Sequence, residues 1–208
     1  MNSLYLPFWT FDTDTEVKYS AQYGRDRQEK DSKGNIRTVT DWFPTSGTYQ
    51  KSFDDYPVPG TERYDRRSLD MIQPFDTANS KLYKPEYVAG FISERYSVGL
   101  KNGWEIAKKE IFGILNNEVT ADIRTRNAAN HVRNLTMSVK HSGIKYKYLL
   151  LPIWLSSFKY KQKIFQFMVN GQTGKVGGHA PVSPIRVAIA LIIAAAIIYA
   201  VLKMSGTI

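Results

Sequence analysis

Residues 187–202, VAIALIIAAAIIYAVL, run for sixteen positions without a charge, closed by Arg186 on one side and Lys203 on the other. No polar stripe breaks the run, so a helix formed over it has no face to turn toward water. At about 1.5 Å per residue the run spans about 24 Å, and Arg186, Lys203, Ile185 and Met204 can extend it toward a ~30 Å hydrocarbon layer. The expectation is a single C-terminal transmembrane helix over residues 185–204, followed by a short tail, 205–208. Its anchor residues are then Val187, Leu191, Ile192, Ile197, Tyr199, Leu202 and Lys203, and a buried core helix is the competing reading. The N-terminal MNSLYLPFWTFDTDTE is acidic and lacks an apolar h-region, so it does not read as a signal peptide.

Charge divides the chain at Asp122, its last acid. Residues 1–122 carry 16 Lys+Arg and 19 Asp+Glu, a balance of −3, whereas residues 123–208 carry 12 Lys+Arg and no acid, which accounts for the net +9. Lys159, Lys161, Lys163, Lys175 and Arg186 precede the apolar run and only Lys203 follows it. By the positive-inside rule residues 1–183 are expected on the cytoplasmic side, with a tail-anchored, single-pass topology. The same five basic residues are the expected contacts to an anionic lipid surface, each worth ~1 kcal/mol.

Cysteine is absent and histidine occurs three times, which removes disulfide scaffolds, thiol nucleophiles and cysteine-bound metals together. No cofactor is expected. The pattern of the remaining chain is α+β. Residues 4–11 (LYLPFWTF) read as an edge or bulged strand because of Pro7. Residues 16–23 place Val17, Tyr19, Ala21 and Tyr23 on one face, and DSKGN supplies a turn into a second strand over 36–43. Residues 45–78 are rich in Pro, Asp, Gly and Tyr and read as a long irregular connection with a short helix near 62–69. Asn102 and Glu105 have capping-box spacing, and Trp104, Ala107, Ile111, Leu115 and Val119 then recur at helical spacing, predicting one long amphipathic helix packed on the sheet. Residues 131–176 read as a β-meander bent at Pro152 or Ser156-Ser157, with a hairpin at Lys161-Gln162 and a turn over 170–174. Residues 177–184 (GGHAPVSP) read as a linker.

Candidate chemistry is sparse. GQTGKV at 171–176 superficially matches a phosphate loop, but Val169 and Val176 stand where glycine and Ser/Thr are required, so a glycine-rich turn is the better reading. Asp12, Asp14 and Glu16 alternate as in a calcium loop without its glycine or closing acid. Asp54 and Asp55 read as solvated turn residues, and His131, His141 and His179 lack ligand spacing or a partner nucleophile. The richest constellation interleaves Lys140, Lys145, Lys147, Lys159, Lys161 and Lys163 with Tyr146, Tyr148, Trp154, Phe158 and Tyr160. Lipid and single-stranded nucleic acid are the functional readings, and solvated lysines over buried aromatics the bland one; nucleic acid is disfavoured because alternation puts the Lys and Tyr sets on opposite faces.

Four stretches, LPFWTFD at 6–12, VAGFISERY at 88–96, YLLLPIW at 148–154 and FMVNGQTGK at 167–175, in this order and spacing, resemble a bacterial family of membrane-anchored TFIIB-type zinc-ribbon or primosomal-helicase-like proteins. Members carry cysteine-rich ribbons ahead of the LPFW segment; with no cysteine here, a zinc or nucleic-acid role tied to the ribbon does not carry over. The resemblance implies a location at the bacterial cytoplasmic (inner) membrane. Taken together, the expected molecule has a cytoplasmic α+β domain over 1–176, an antiparallel β-sheet with one long helix, and a transmembrane helix. Its expected function is that of a non-enzymatic adaptor or scaffold that presents a binding domain to a protein partner, with a membrane-tethered nucleic-acid-binding factor as the alternative. Homo-oligomerisation through Ala194-Ala195-Ala196 is allowed but weakly encoded.

Overall fold

The computed structural model describes residues 2–30, 35–160, 162–178 and 184–204. Lys161, residues 31–34 of the expected turn, residues 179–183 of the expected linker and the expected tail 205–208 lie outside the described residues, as do the side chains of Arg186 and Val187. Three long strands carry the molecule: β1 (Asn2–Lys30), β2 (Ile36–Pro59) and β4 (His131–Tyr160). β1 is the axis, antiparallel to β2 on one side and to β4 on the other, and the sheet continues as β2-β1-β4-β5-β6 with β5 (Lys163–Asn170) and β6 (Val176–Gly178). A two-residue β3 (Ile92–Ser93) pairs in parallel with Leu4 and Tyr5.

Two expectations about strands are corrected. β1 is central rather than an edge, and Pro7 is tolerated because it lies between the end of β2, where Pro59 faces Phe8, and β3, which faces Leu4 and Tyr5. Its carbonyl accepts from Gly60 N–H on that side, so the missing N–H points into the same gap and costs no ladder bond. The irregular connection expected over 45–78 begins only after Pro59. Pro44 and Pro57 sit in β2, which has a free edge among the described residues, where a lost donor is harmless. Gly47 fits beneath Tyr19, whose hydroxyl would lie 2.7 Å from an added Cβ.

Local irregularities have identifiable causes. Register shifts fall between Phe11 and Thr13 toward β2 and between Asp12 and Asp14 and Ser20 and Gln22 toward β4. Asp55, Gly143 and Asn134, the extra residues opposite those shifts, have φ of 48°, 62° and 53°, the left-handed conformation typical of bulges.

α1 (Arg66–Met71) begins on Asp65, which accepts from Ser68 N–H, and α2 (Pro85–Val88) is a single turn. α3 (Leu100–Asn127) starts on Gly99, three residues ahead of the expected Asn102 cap. It ends on Ala128 in the left-handed conformation, and Arg25 of β1 donates two hydrogen bonds to the Asn127 carbonyl. Its buried residues are Gly103, Ala107, Ile111, Leu115, Val119 and Ile123. Steps of four advance the contact line by about 40° each around a helix of 3.6 residues per turn, so the line spirals and no one face is apolar. That spiral follows the twist of the long strands. The expected single amphipathic helix is corrected accordingly: the molecule is mostly antiparallel sheet, with α3 laid obliquely along it.

The core has two parts on opposite faces of β1. Phe11, Val17, Tyr19 and Ala21 pack with Phe53 and Val58 under α3. Leu4, Leu6 and Phe8 pack with Leu69 and Ile72 around α1, and with Leu151, Ile153 and Met168. From Phe8 to Phe11 every residue is buried, which is why Phe8, Trp9 and Phe11 crowd together there instead of alternating with exposed polar residues.

α4 (Pro184–Met204) covers the apolar run. Among the described residues no helix is long and apolar enough to cross a membrane. This overturns the single transmembrane helix, the membrane-anchor role of Val187, Leu191, Ile192, Ile197, Tyr199, Leu202 and Lys203, and the inner-membrane location inferred from them. The charge-free stretch is about 6 Å short of the hydrocarbon thickness at ~1.5 Å per residue, and Arg186 and Lys203 bound it on both sides. Leu191, Ile192, Ile197 and Tyr199 are exposed, as is Lys203.

Candidate functional site

The β4 strand carries the residues of greatest interest, and its two faces separate them. Opposite Phe11 and Trp9 stand Tyr146 and Tyr148; opposite Asp12 and Thr10 stand Lys145 and Lys147. The tyrosines therefore share the face of α3, and the lysines look out from the other side.

On the tyrosine face four rings meet. Trp9 is almost buried, with its indole N–H donated to the Val98 carbonyl at 2.8 Å. Its ring lies 5.1 Å from Tyr148, 6.1 Å from Tyr96 and 6.2 Å from Tyr146, at steep interplanar angles, and Tyr96 meets Tyr148 at 5.7 Å. Tyr96, Tyr146 and Tyr148 are about half exposed, and so is Ile144 on the same side of β4. Burial raises the Tyr148 hydroxyl above its ordinary value, and Tyr96 adds to the shift, so Tyr148 is uncharged at neutral pH. From His131 to Leu151, β4 is paired only with β1 among the described residues. The aromatic ledge thus borders an open strand edge.

The lysine face is electrostatically closed. Asp12, Asp54 and Asp55 bring carboxylate oxygens within 4.8 Å of one another, close enough to share a cation. Lys147 already occupies that neighbourhood, donating to both Asp55 oxygens at 2.7 and 2.8 Å, while Asp55 N–H donates to Asp12 at 2.9 Å and Thr10 donates to Asp55 at 3.1 Å. Burial alone would raise the Asp55 carboxyl, but bonds from Lys147, Thr77 and Thr10 outweigh it and hold the group below its ordinary value; Asp55 in turn raises Lys147. The calcium-like alternation of Asp12, Asp14 and Glu16 spaces these acids along one strand face, with Asp14 taken by Ser52 at 2.6 Å. The solvated-turn reading of Asp54-Asp55 missed this convergence, because it depends on a bulge 42 residues away from Asp12 in the chain.

Among the described residues the remaining basic side chains do not form one patch. Lys159 and Lys163 are exposed at the end of the β4–β5 hairpin, where Phe158 stacks on Phe165 at 5.6 Å. Lys175 donates to the Gln73 carbonyl. The GQTGK segment is a structural turn: Gly174 has φ 74°, and buried Asn170 donates to the Ile72 and Pro74 carbonyls while accepting from Gln172 and Thr173 N–H. His141 packs edge-on against Trp104 at 5.2 Å, and burial, with Lys108 nearby, holds it below its ordinary value.

A groove of about 700 Å³ lies between the end of β2, α1 and the middle of α3. Arg66 bridges Asp70 and Glu110 at 2.9 Å each, and Tyr56 donates to Glu110 at 3.0 Å. Burial, followed by Glu110, pushes the Tyr56 hydroxyl far up, so it is a donor at every physiological pH. Phe112, Gly113, Asn116 and Asn117 of α3 complete the lining. Glycine in a helix interior costs about 1 kcal/mol relative to alanine, and asparagine is also a weak helix former. Nothing in the sequence patterning drew attention to this groove.

No family model matches the chain, and no solved structure matches it. The chain is similar to the uncharacterized protein YdjG of Bacillus subtilis (strain 168), 29% identical over 188 residues, which covers 90% of this chain and 54% of the relative. The chain thus spans about half the length of that curated relative.

Proposed function

We propose that this chain is a non-catalytic protein-binding module that captures an extended segment of a partner protein along β4. The observation that carries this reading is the row Ile144, Tyr146 and Tyr148, exposed beside Tyr96 on a strand whose outer edge has no partner among the described residues from His131 to Leu151. An open edge supplies main-chain donors and acceptors for an added strand, and alternate side chains supply selectivity. Tyrosine combines a large apolar area with a polar tip, which suits it to such surfaces. Nucleic acid is less well supported, because the tyrosines and lysines occupy opposite faces and Lys147 is committed to Asp55.

The test is a photo-crosslinking residue placed at Tyr146 and, as a control, at Thr48 on β2. Capture of one polypeptide at 146 and not at 48, followed by loss of about 2 kcal/mol of its affinity in Tyr146→Ala/Tyr148→Ala, supports the reading. Crosslinking confined to nucleic acid, or equal capture at both positions, refutes it.

A further inference from the structure

The groove beside α3 is a second site, independent of the β4 edge, and we infer that it binds a neutral saccharide. Three residues of α3 there are poor helix formers. A Cβ on Gly113 would meet no atom within 4 Å, so nothing in the protein requires glycine at that position. Asn116 and Asn117 follow one turn later, and neither side-chain amide is engaged by another described residue. Departures from local propensity that packing does not explain concentrate at functional sites. Here they coincide with a groove of about 700 Å³.

The lining selects the ligand's chemistry. Arg66 is held between Asp70 and Glu110, so its charge is spent and one net negative charge remains, which repels phosphate, sulfate and carboxylate ligands. The amides of Asn116 and Asn117 each offer donors and an acceptor, matching hydroxyl groups that do both. Phe112, 44% exposed, presents a ring against which the C–H face of a pyranose can lie, and Tyr56 contributes a second ring. A volume of about 700 Å³ falls in the range of sites for small organic ligands. An apolar ligand would leave the amides and carboxylates unpaired.

The test uses the full chain and the NMR amide signals of Gly113, Asn116 and Asn117 during titration with maltohexaose, cellohexaose and chitohexaose up to about 10 mM, a concentration that detects millimolar affinity. Saturable shifts with at least one of the three are expected. Phe112→Ala then weakens binding about tenfold. Gly113→Ala, which fills open groove space, weakens it about threefold while raising Tm through better helix propensity. Absence of shifts with all three saccharides overturns the inference. So do equal shifts with sodium sulfate, or wild-type affinity in both variants. Tyr146→Ala/Tyr148→Ala leaves this groove untouched, so saccharide binding by that variant separates the two sites.

Discussion

The two ends of β1 solve the same problem with different physics. Near Phe8 the strand is covered on both faces, by α1 and β5 on one and by the start of α3 on the other. Beyond Gly24, the last residue paired to β4, it continues with β2 as a two-stranded arm over residues 25–30 and 36–41. There the described side chains are exposed or half-buried, and cross-strand polar contacts replace the core: Arg27 meets Asp41 at 2.7 Å, Arg37 meets Glu29 at 3.5 Å, and Thr40 donates to Asp26 at 2.6 Å. At the base of the arm Arg133 lies 3.9 Å over the Trp42 ring. Apolar burial is worth several kcal/mol per side chain and is insensitive to salt, whereas an exposed ion pair contributes at most about 1 kcal/mol and is screened. One end should therefore carry the stability and the other should open first.

Phe8→Ala is the strongest challenge to that contrast: removal of a fully buried ring should cost about 3–5 kcal/mol in chemical denaturation, and a loss below about 1 kcal/mol would mean that the doubly covered end is not the stable one. Asn170→Ala tests the polar clamp that holds the chain after α1 to the same end. It strands the Ile72 and Pro74 carbonyls and should cost about 1–3 kcal/mol. His141 provides a pH probe in the middle of the sheet. Its folded value lies below 6.5, so its contribution is present above pH 6.5 and is lost as the pH falls toward the folded value. Tm should drop on acidification below pH 6.5, and His141→Gln should flatten that part of the profile.

The smallest effects belong to the arm. Arg27→Ala should change global stability by less than about 1 kcal/mol, and added salt should erase the difference. Hydrogen exchange within residues 25–30 should nevertheless quicken relative to residues 4–11. Asp26 is lowered chiefly by its bond from Thr40, with His131 assisting against desolvation. Its contribution is thus present above about pH 4 and disappears as the pH falls further, so arm exchange should accelerate in acid before the core does.

Periodicity made some of this structure legible. Val17, Tyr19, Ala21 and Tyr23 do share a face of β1, and the four-residue steps of Ala107, Ile111, Leu115 and Val119 do mark the contact line of α3. The same steps concealed the line's spiral, because a helical repeat counted along the chain carries no information about the twist of the surface beneath it. Pro57 argued for a loop when only knowledge of which strand has a free edge makes it compatible with β2. The apolar run at 187–202 signalled burial, but hydropathy does not measure whether the span is long enough, and the membrane expectation failed there. The sites were less visible still. Tyr146 and Tyr148 stood out by composition and their separation from the lysines followed from alternation, yet Trp9 and Tyr96 join them only across the sheet.

From the chain alone came the alternation that sorts each strand into two faces, because side-chain direction in a strand depends only on parity. The tertiary structure alone decided which faces are covered, which edge stays open and where Asp12 meets Asp55 or Tyr56 meets Glu110. Those contacts depend on register and twist between segments far apart in sequence, and a single residue of slip at a bulge would reassign them all.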